Sequence, residues 1–316
     1  MKKLFFALCA VAALASCSKE EVVSYDKGKV IGFANPFVNK STRVEYDNGT
    51  NKVQSFKVYG IVTPQATGEV TQIYNGNNVT RGTKADGEAW ACEGTTQYWL
   101  PSSNYSFAAI VDGAAVATSA LPVTIKHTVV DGSANNKDLL YAKKDVVTNN
   151  IATPTGVNAS GVVEFDFSHI LSKMQFTIVN ATNQTYKVTG ISVTGFTNNG
   201  VYTVAGGTWA KDAGAADNVE LTFGETTNIA GGGSATATET RQFLPVAQTL
   251  QVTIEYDVID EDGTTVVGSL TKTGTITEKT YVKNTRYNVT ATLTANAIQF
   301  TLGTVKGWSD DNTITL

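Results

Sequence analysis

This chain has little of what chemistry needs. Its 316 residues include two histidines, His127 and His169, too far apart to read as metal ligands. "GSANN" and "GGGSA" fit neither G-x-S-x-G nor S-x-x-K, so neither offers a serine nucleophile. No lysine follows "AGGGSATATET", which argues against a phosphate loop there. The net charge is −4 with no basic patch, which argues against nucleic acid. The apolar run Leu4–Ala15 is 12 residues long, where a membrane-crossing helix takes about 20. These absences point away from an enzyme, from a bound cofactor and from a metal site.

What is present begins at that run. Lys2 and Lys3 precede it and small residues follow, the pattern of a signal peptide. Leu14-Ala15-Ser16-Cys17 resembles the lipobox of bacterial lipoproteins. The resemblance implies that residues 1–16 are removed and that the Cys17 thiol takes a diacylglycerol. Palmitate-type acyl chains would then hold the chain in the outer membrane. "SKEE", from Ser18, resembles the export signal of surface lipoproteins in Bacteroidetes-type bacteria, which implies display on the cell surface. Lys2 and Lys3 leave with the leader, so 22 basic residues face 28 acidic ones and the mature charge becomes −6. Cys9 leaves too. Cys92 then remains as the one unmodified thiol, with no disulfide partner and no motif around it.

Alternation of period two dominates the rest. "QVTIEYDVID" puts Val252, Ile254, Tyr256 and Val258 on one face, and "VEFDF" does the same with Val163, Phe165 and Phe167. "KMQFTIV" turns Met174, Phe176 and Ile178 inward, and "NYSFAAIV" turns Tyr105, Phe107, Ala109 and Val111. Clusters such as "NGNN", "TNNG" and "DEDGT" read as turns. "DLLYAKKDVV" reads as a short helical turn, and "AKDAGAADN" and "AGGGSATATET" as long loops. The pattern predicts an all-β chain of two β-sandwiches. A weak repeat supports two: "QYWLPSSNYSFAAIVD" against "RQFLPVAQTLQVTIEYDV". The polar run "NNIATPTGVNASG" marks the expected boundary, with sandwiches over residues 44–158 and 159–316.

Some isolated polar residues need an explanation. His169, in "FDFSHILSKMQF", reads as a structural histidine, since a general base needs a positioned partner. The acids Asp257, Asp260, Glu261 and Asp262 read as a hairpin turn; calcium ligation by their oxygens stays open, although the spacing fits no EF-hand.

Several segments in order resemble the fimbrillin family of Bacteroidetes, the subunits and accessory proteins of type V pili. They are "LASCSKEE", "STRVEY" followed by "FKVYGIV", "YWLPSSNYSFAAI", "KDLLYA", "FDFSHILSKMQFTIVN", "RQFLPVAQTLQVTIEYDV", "RYNVTATL" and "VKGWSDD". The resemblance implies two transthyretin-like β-sandwich domains and a structural or adhesive fimbrial subunit. It also implies a cut by a trypsin-like protease after an arginine near the N-terminus. Arg43 fits, since it is the only arginine before Arg81 and lies in a polar run. The cut would release residues 17–43 with Val30, Ile31, Phe33 and Phe37. A strand from the next subunit's C-terminus would fill the opened groove. The expected donor residues are Ile298, Phe300, Leu302, Ile314 and Leu316. Partners would be other fimbrial subunits and surface receptors. The second reading is a surface glycan-binding lipoprotein of a nutrient-uptake system, with Tyr98, Trp99 or Trp209 stacking on sugars.

Overall fold

A computed structural model of the chain describes residues 29–34, 36–38, 53–84, 87–112, 114–116, 121–132 and 136–306. Those residues hold twenty strands and no helix, as the alternation predicts.

The first sheet runs in the order β1 (Phe37–Val38), β9 (Asp166–His169), β8 (Leu140–Val147), β5 (Ser103–Val111), β2 (Ser55–Pro64), β3 (Thr71–Lys84) and β4 (Gly87–Cys92). Three places separate β9 from β2, about 14 Å in a flat sheet. Yet Phe167 and Phe56 meet with ring centroids 5.7 Å apart. The sheet therefore curls over a core that includes Val58, Phe107, Val163 and Phe165. β8 corrects the expectation of a helical turn at "DLLYAKKDVV". Leu140, Ala142 and Val146 are buried at period two, and both edges of this strand are paired.

Two further sheets face each other around a second core. One is β16 (Ser234–Phe243), β10 (Ser172–Asn180), β19 (Thr285–Leu293) and β20 (Ile298–Lys306). The other is β14 (Asp217–Thr222), β11 (Thr185–Thr197), β17 (Ala247–Ile259) and β18 (Val266–Thr280). Met174, Phe176 and Ile178 meet Val252, Ile254 and Tyr256 in this core. β16 also corrects an expectation. Only the glycines of "AGGGSATATET" turn, and the Ser/Thr alternation after them pairs with β10. "AKDAGAADN" is likewise shorter as a loop, with strands ending at Lys211 and resuming at Asp217.

A small sheet joins the halves: β13 (Thr208–Lys211), β12 (Asn199–Thr203), β7 (Thr124–Thr128) and β6 (Ala114–Val116). Its Ile125 and Tyr202 belong to the second core. Phe167 is the last residue of the first core, while the second core, which takes up the chain from Ile170, also draws in Tyr59, Ala108, Ile110, Ile125, Val129 and Leu139 from before it.

The strand pairing repeats as the sequence suggests, with β5 antiparallel to β2 and β17 antiparallel to β11, but the corner that precedes β5 recurs before β19. Trp99 meets Tyr105 edge-on at 4.8 Å, and Tyr281 meets Tyr287 edge-on at 4.8 Å. The Tyr105 hydroxyl accepts the Leu100 N–H at 2.6 Å, and the Tyr287 hydroxyl accepts the Val282 N–H at 2.8 Å. Ser102 and Asn284 take positive φ at the same place in each corner. β5 and β19 follow these corners as matching nine-residue strands.

Candidate functional site: the seat of residues 29–34

The segment before β2 is built into the first core. Ile31 and Phe33 are buried, at 4 % and 6 % exposure, while Val30 between Lys29 and Ile31 is 47 % exposed. Alternate residues bond to opposite neighbours, as an inserted strand requires. Ile31 N–H donates to the Gln97 carbonyl and Trp99 N–H to the Lys29 carbonyl, each at 2.9 Å. On the other side Val163 N–H donates to the Gly32 carbonyl and Ala34 N–H to the Val163 carbonyl. The segment therefore runs antiparallel to Tyr98 and parallel to Val163.

Phe33 sits in a cage of rings. Its centroid lies 6.1 Å from Phe56, 5.6 Å from Tyr74, 6.3 Å from Phe107 and 6.1 Å from Phe165. Removing this segment would bare those four rings and the unpaired edges at Gln97 and Val163. Sequence reasoning singled out Ile31 and Phe33, but not Phe56 and Tyr74 as their receivers. Both lie in alternating stretches, "SFKVYG" and "TQIY", which signal a strand but not its contacts.

Of the proposed donor residues, Ile298, Phe300 and Leu302 lie on β20, antiparallel to β19 within the same chain. All three are half-buried against the second core. Ile314 and Leu316 lie outside the described residues, as do Cys17 and Arg43. Arg81, the next arginine along the chain, stands inside β3 opposite Trp90.

The remaining candidates take structural places. His169 and Asp138 are both buried and hydrogen-bond through Nδ1 and a carboxylate oxygen; sequence reasoning missed Asp138. His127, on β7, is driven down to about 4, chiefly by burial, with Asp138 and Asp112 opposing. Burial lifts the Cys92 thiol to about 11, and the Glu93 charge adds to it. At the hairpin tip Asp262 accepts from Thr264 and Thr265, and these bonds hold its carboxyl at about 2. Asp257 accepts from Ser269 at 2.6 Å. No three-residue group of histidine, cysteine and acids is placed to hold a metal among the described residues. Trp99 is 1 % exposed, and Tyr98 and Trp209 are half-buried, so none forms an open stacking platform.

The fold and the seat together define an all-β protein whose first core is completed by a segment near the start of the chain. Residues 42–308 match the Fimbrillin-like family, and the chain belongs to it. A fimbrial protein from Bacteroides vulgatus is 20% identical, with a TM-score of 0.61 over 89% of this chain and 99% of that one. A candidate cell adhesion protein from Bacteroides ovatus is 18% identical, with a TM-score of 0.57 over 90% and 99%. One from Bacteroides uniformis is 16% identical, with a TM-score of 0.52 over 90% and 99%. At such identities these likenesses speak for the fold. No curated protein matches the chain.

Proposed function

We propose that this chain is a non-enzymatic structural or adhesive subunit of a type V fimbria on the cell surface. It reaches the outer membrane on a lipid at Cys17 and assembles by protease-triggered strand exchange. The observation that carries this reading is the seat of Ile31 and Phe33. The body they complete resumes, in the described residues, only at Val53, so the seated segment and the body are joined through a stretch containing Arg43. A cut there leaves the segment held by non-covalent contacts alone. An open edge and an apolar groove then remain for a strand of the next subunit. The two sandwiches act as one acceptor and one donor unit, with other fimbrial subunits as partners.

N-terminal sequencing of polymer sheared from the cell surface tests the cut. A start at Val44 supports it, and subunits that still begin at Cys17 reject it. For the anchor, Cys17→Ala should leave an unprocessed or mislocalised precursor. Normal cleavage and surface display of that variant, without acylation, would reject the lipid.

A further inference from the structure

We propose that the outer face of the second sandwich holds a binding site for a saccharide that carries no acidic group. The site gives the adhesive role above a class of ligand, and it is independent of strand exchange.

A cavity of about 530 Å³ opens over β11, between β14 and β17. Small-molecule sites span about 300–1,000 Å³. β16 closes one side, where the Glu239 N–H donates to the Phe223 carbonyl at 3.2 Å. The wall there is fixed. The Arg241 side chain is 4 % exposed and is held between the carboxylates of Asp131 and Glu239. Asp131 in turn accepts from the N–H and hydroxyl of Thr222, at 2.9 and 3.0 Å.

The floor is bare. Gly190 lies inside β11, where glycine weakens a strand and often marks the close approach of a ligand. It does not take a positive φ. A Cβ there would meet only Glu255 Oε2, at 3.4 Å, which is an ordinary contact. Neither the backbone nor the packing of this chain therefore calls for glycine. What a side chain at 190 would take up is the space of the cavity.

The lining selects the ligand. Glu220 and Glu255 are exposed in it and make no hydrogen bond or ion pair among the described residues. Thr222, Ser192 and Thr253 set a row of hydroxyls across β14, β11 and β17 as directly paired residues. Three glutamates face one arginine, so an anion is repelled. Ile191 is the only aliphatic residue in the lining, no aromatic joins it, and its side chain is turned into the second core. A ligand must then be held by hydrogen bonds nearly throughout. Carboxylates only accept, so the ligand must donate, while the hydroxyl row both donates and accepts. Saccharide hydroxyls match both. A lysine ammonium would serve the carboxylates, but it accepts nothing from the hydroxyl row and leaves most of the volume unfilled.

The test uses the mature full chain, uncut, so that assembly plays no part. The probes are an array of neutral, amino and sialylated saccharides, and decalysine. Calorimetry then measures the best ligand on the wild type, Glu255→Gln, Gly190→Val and Glu278→Gln. Glu278 is an exposed acid on β18 outside the cavity. A neutral or amino saccharide should bind, and Glu255→Gln and Gly190→Val should each weaken it roughly tenfold or more. Glu278→Gln should leave binding unchanged. Glu255 is exposed, so its variant keeps the fold and decides the matter even if Gly190→Val does not fold. The inference falls if no saccharide binds, if sialylated sugars bind best, or if binding is indifferent to Glu255→Gln. Capture of decalysine alone also overturns it. None of these results bears on the cut at Arg43, which N-terminal sequencing of the polymer reads separately.

Discussion

Phe33 and Phe165 stack with centroids 6.1 Å apart and planes 14° from parallel. One ring belongs to the inserted segment, and the other immediately precedes β9. Truncating Phe33→Ala should cost about 3–5 kcal/mol, the usual range for emptying a buried aromatic site. Val30→Ala, at an exposed neighbouring position, should stay within about 0.5 kcal/mol. Urea unfolding of the uncut chain measures both. Equal effects at the two positions would mean that the segment does not complete the core.

The two tyrosine corners make a matched pair of predictions. Tyr105→Phe and Tyr287→Phe each strip the acceptor from one backbone N–H, at Leu100 and Val282. Each should cost about 1 kcal/mol, the usual net worth of one hydrogen bond, since both sites are only part-buried. The rings still pack on Trp99 and Tyr281, so any larger loss would show that more than the hydrogen bond is at stake.

Gly274 lies under the ring of Phe300, and a Cβ there would stand 2.4 Å from Phe300 Cε2. Gly274→Ala should therefore lift β20 at that point, at about 1–3 kcal/mol for overpacking. Hydrogen exchange at residues 298–306 should quicken in this variant. Unchanged exchange would mean that the ring swings aside without cost to the strand.

Much of the fold was legible because half-buried strands write their faces into period two. Met174-Phe176-Ile178 and Val252-Ile254-Tyr256 face the core as the alternation predicts. Pairing partners were not legible, since they depend on which distant strands meet. The repeat shows the difficulty. "YWLPSSNY" and "YVKNTRY" share an aromatic, a polar corner and a tyrosine but almost no letters, while "FLP" shares letters and the strand pairing that follows it but not the corner. "DLLYAKKDVV" misled because Ala, Leu and Lys favour helices, and tertiary pairing on both edges outweighs that preference. Of the site, Ile31 and Phe33 were legible as an apolar strand, whereas the rings that receive them come from β2, β3, β5 and the residues before β9.

Cys92 should react slowly. Burial and the Glu93 charge push its thiol to about 11, so little thiolate exists at neutral pH. Labelling with a thiol reagent should be far slower in the native chain than in urea. Equal rates would contradict the half-buried setting on β4.

Acid should weaken the fold through His127. Its pKa is near 6.5 when the chain is unfolded and about 4 when folded, because burial opposes its charge more than Asp138 and Asp112 favour it. The unfolded chain then binds the extra proton between those values. Stability is full above about 6.5 and falls as pH drops towards 4, by at most about 1.4 kcal/mol per pH unit from this group. Below about 4 both states are protonated and the loss is complete. Asp131, Asp212, Asp217 and Asp262 are held below the ordinary carboxylate value and so act mainly beneath that window. The check is denaturant unfolding at several pH values from 7 to 4.5, for the wild type and His127→Gln. The variant should show the shallower decline. If its slope matches the wild type, the half-buried ring of His127 is not the source of the acid sensitivity.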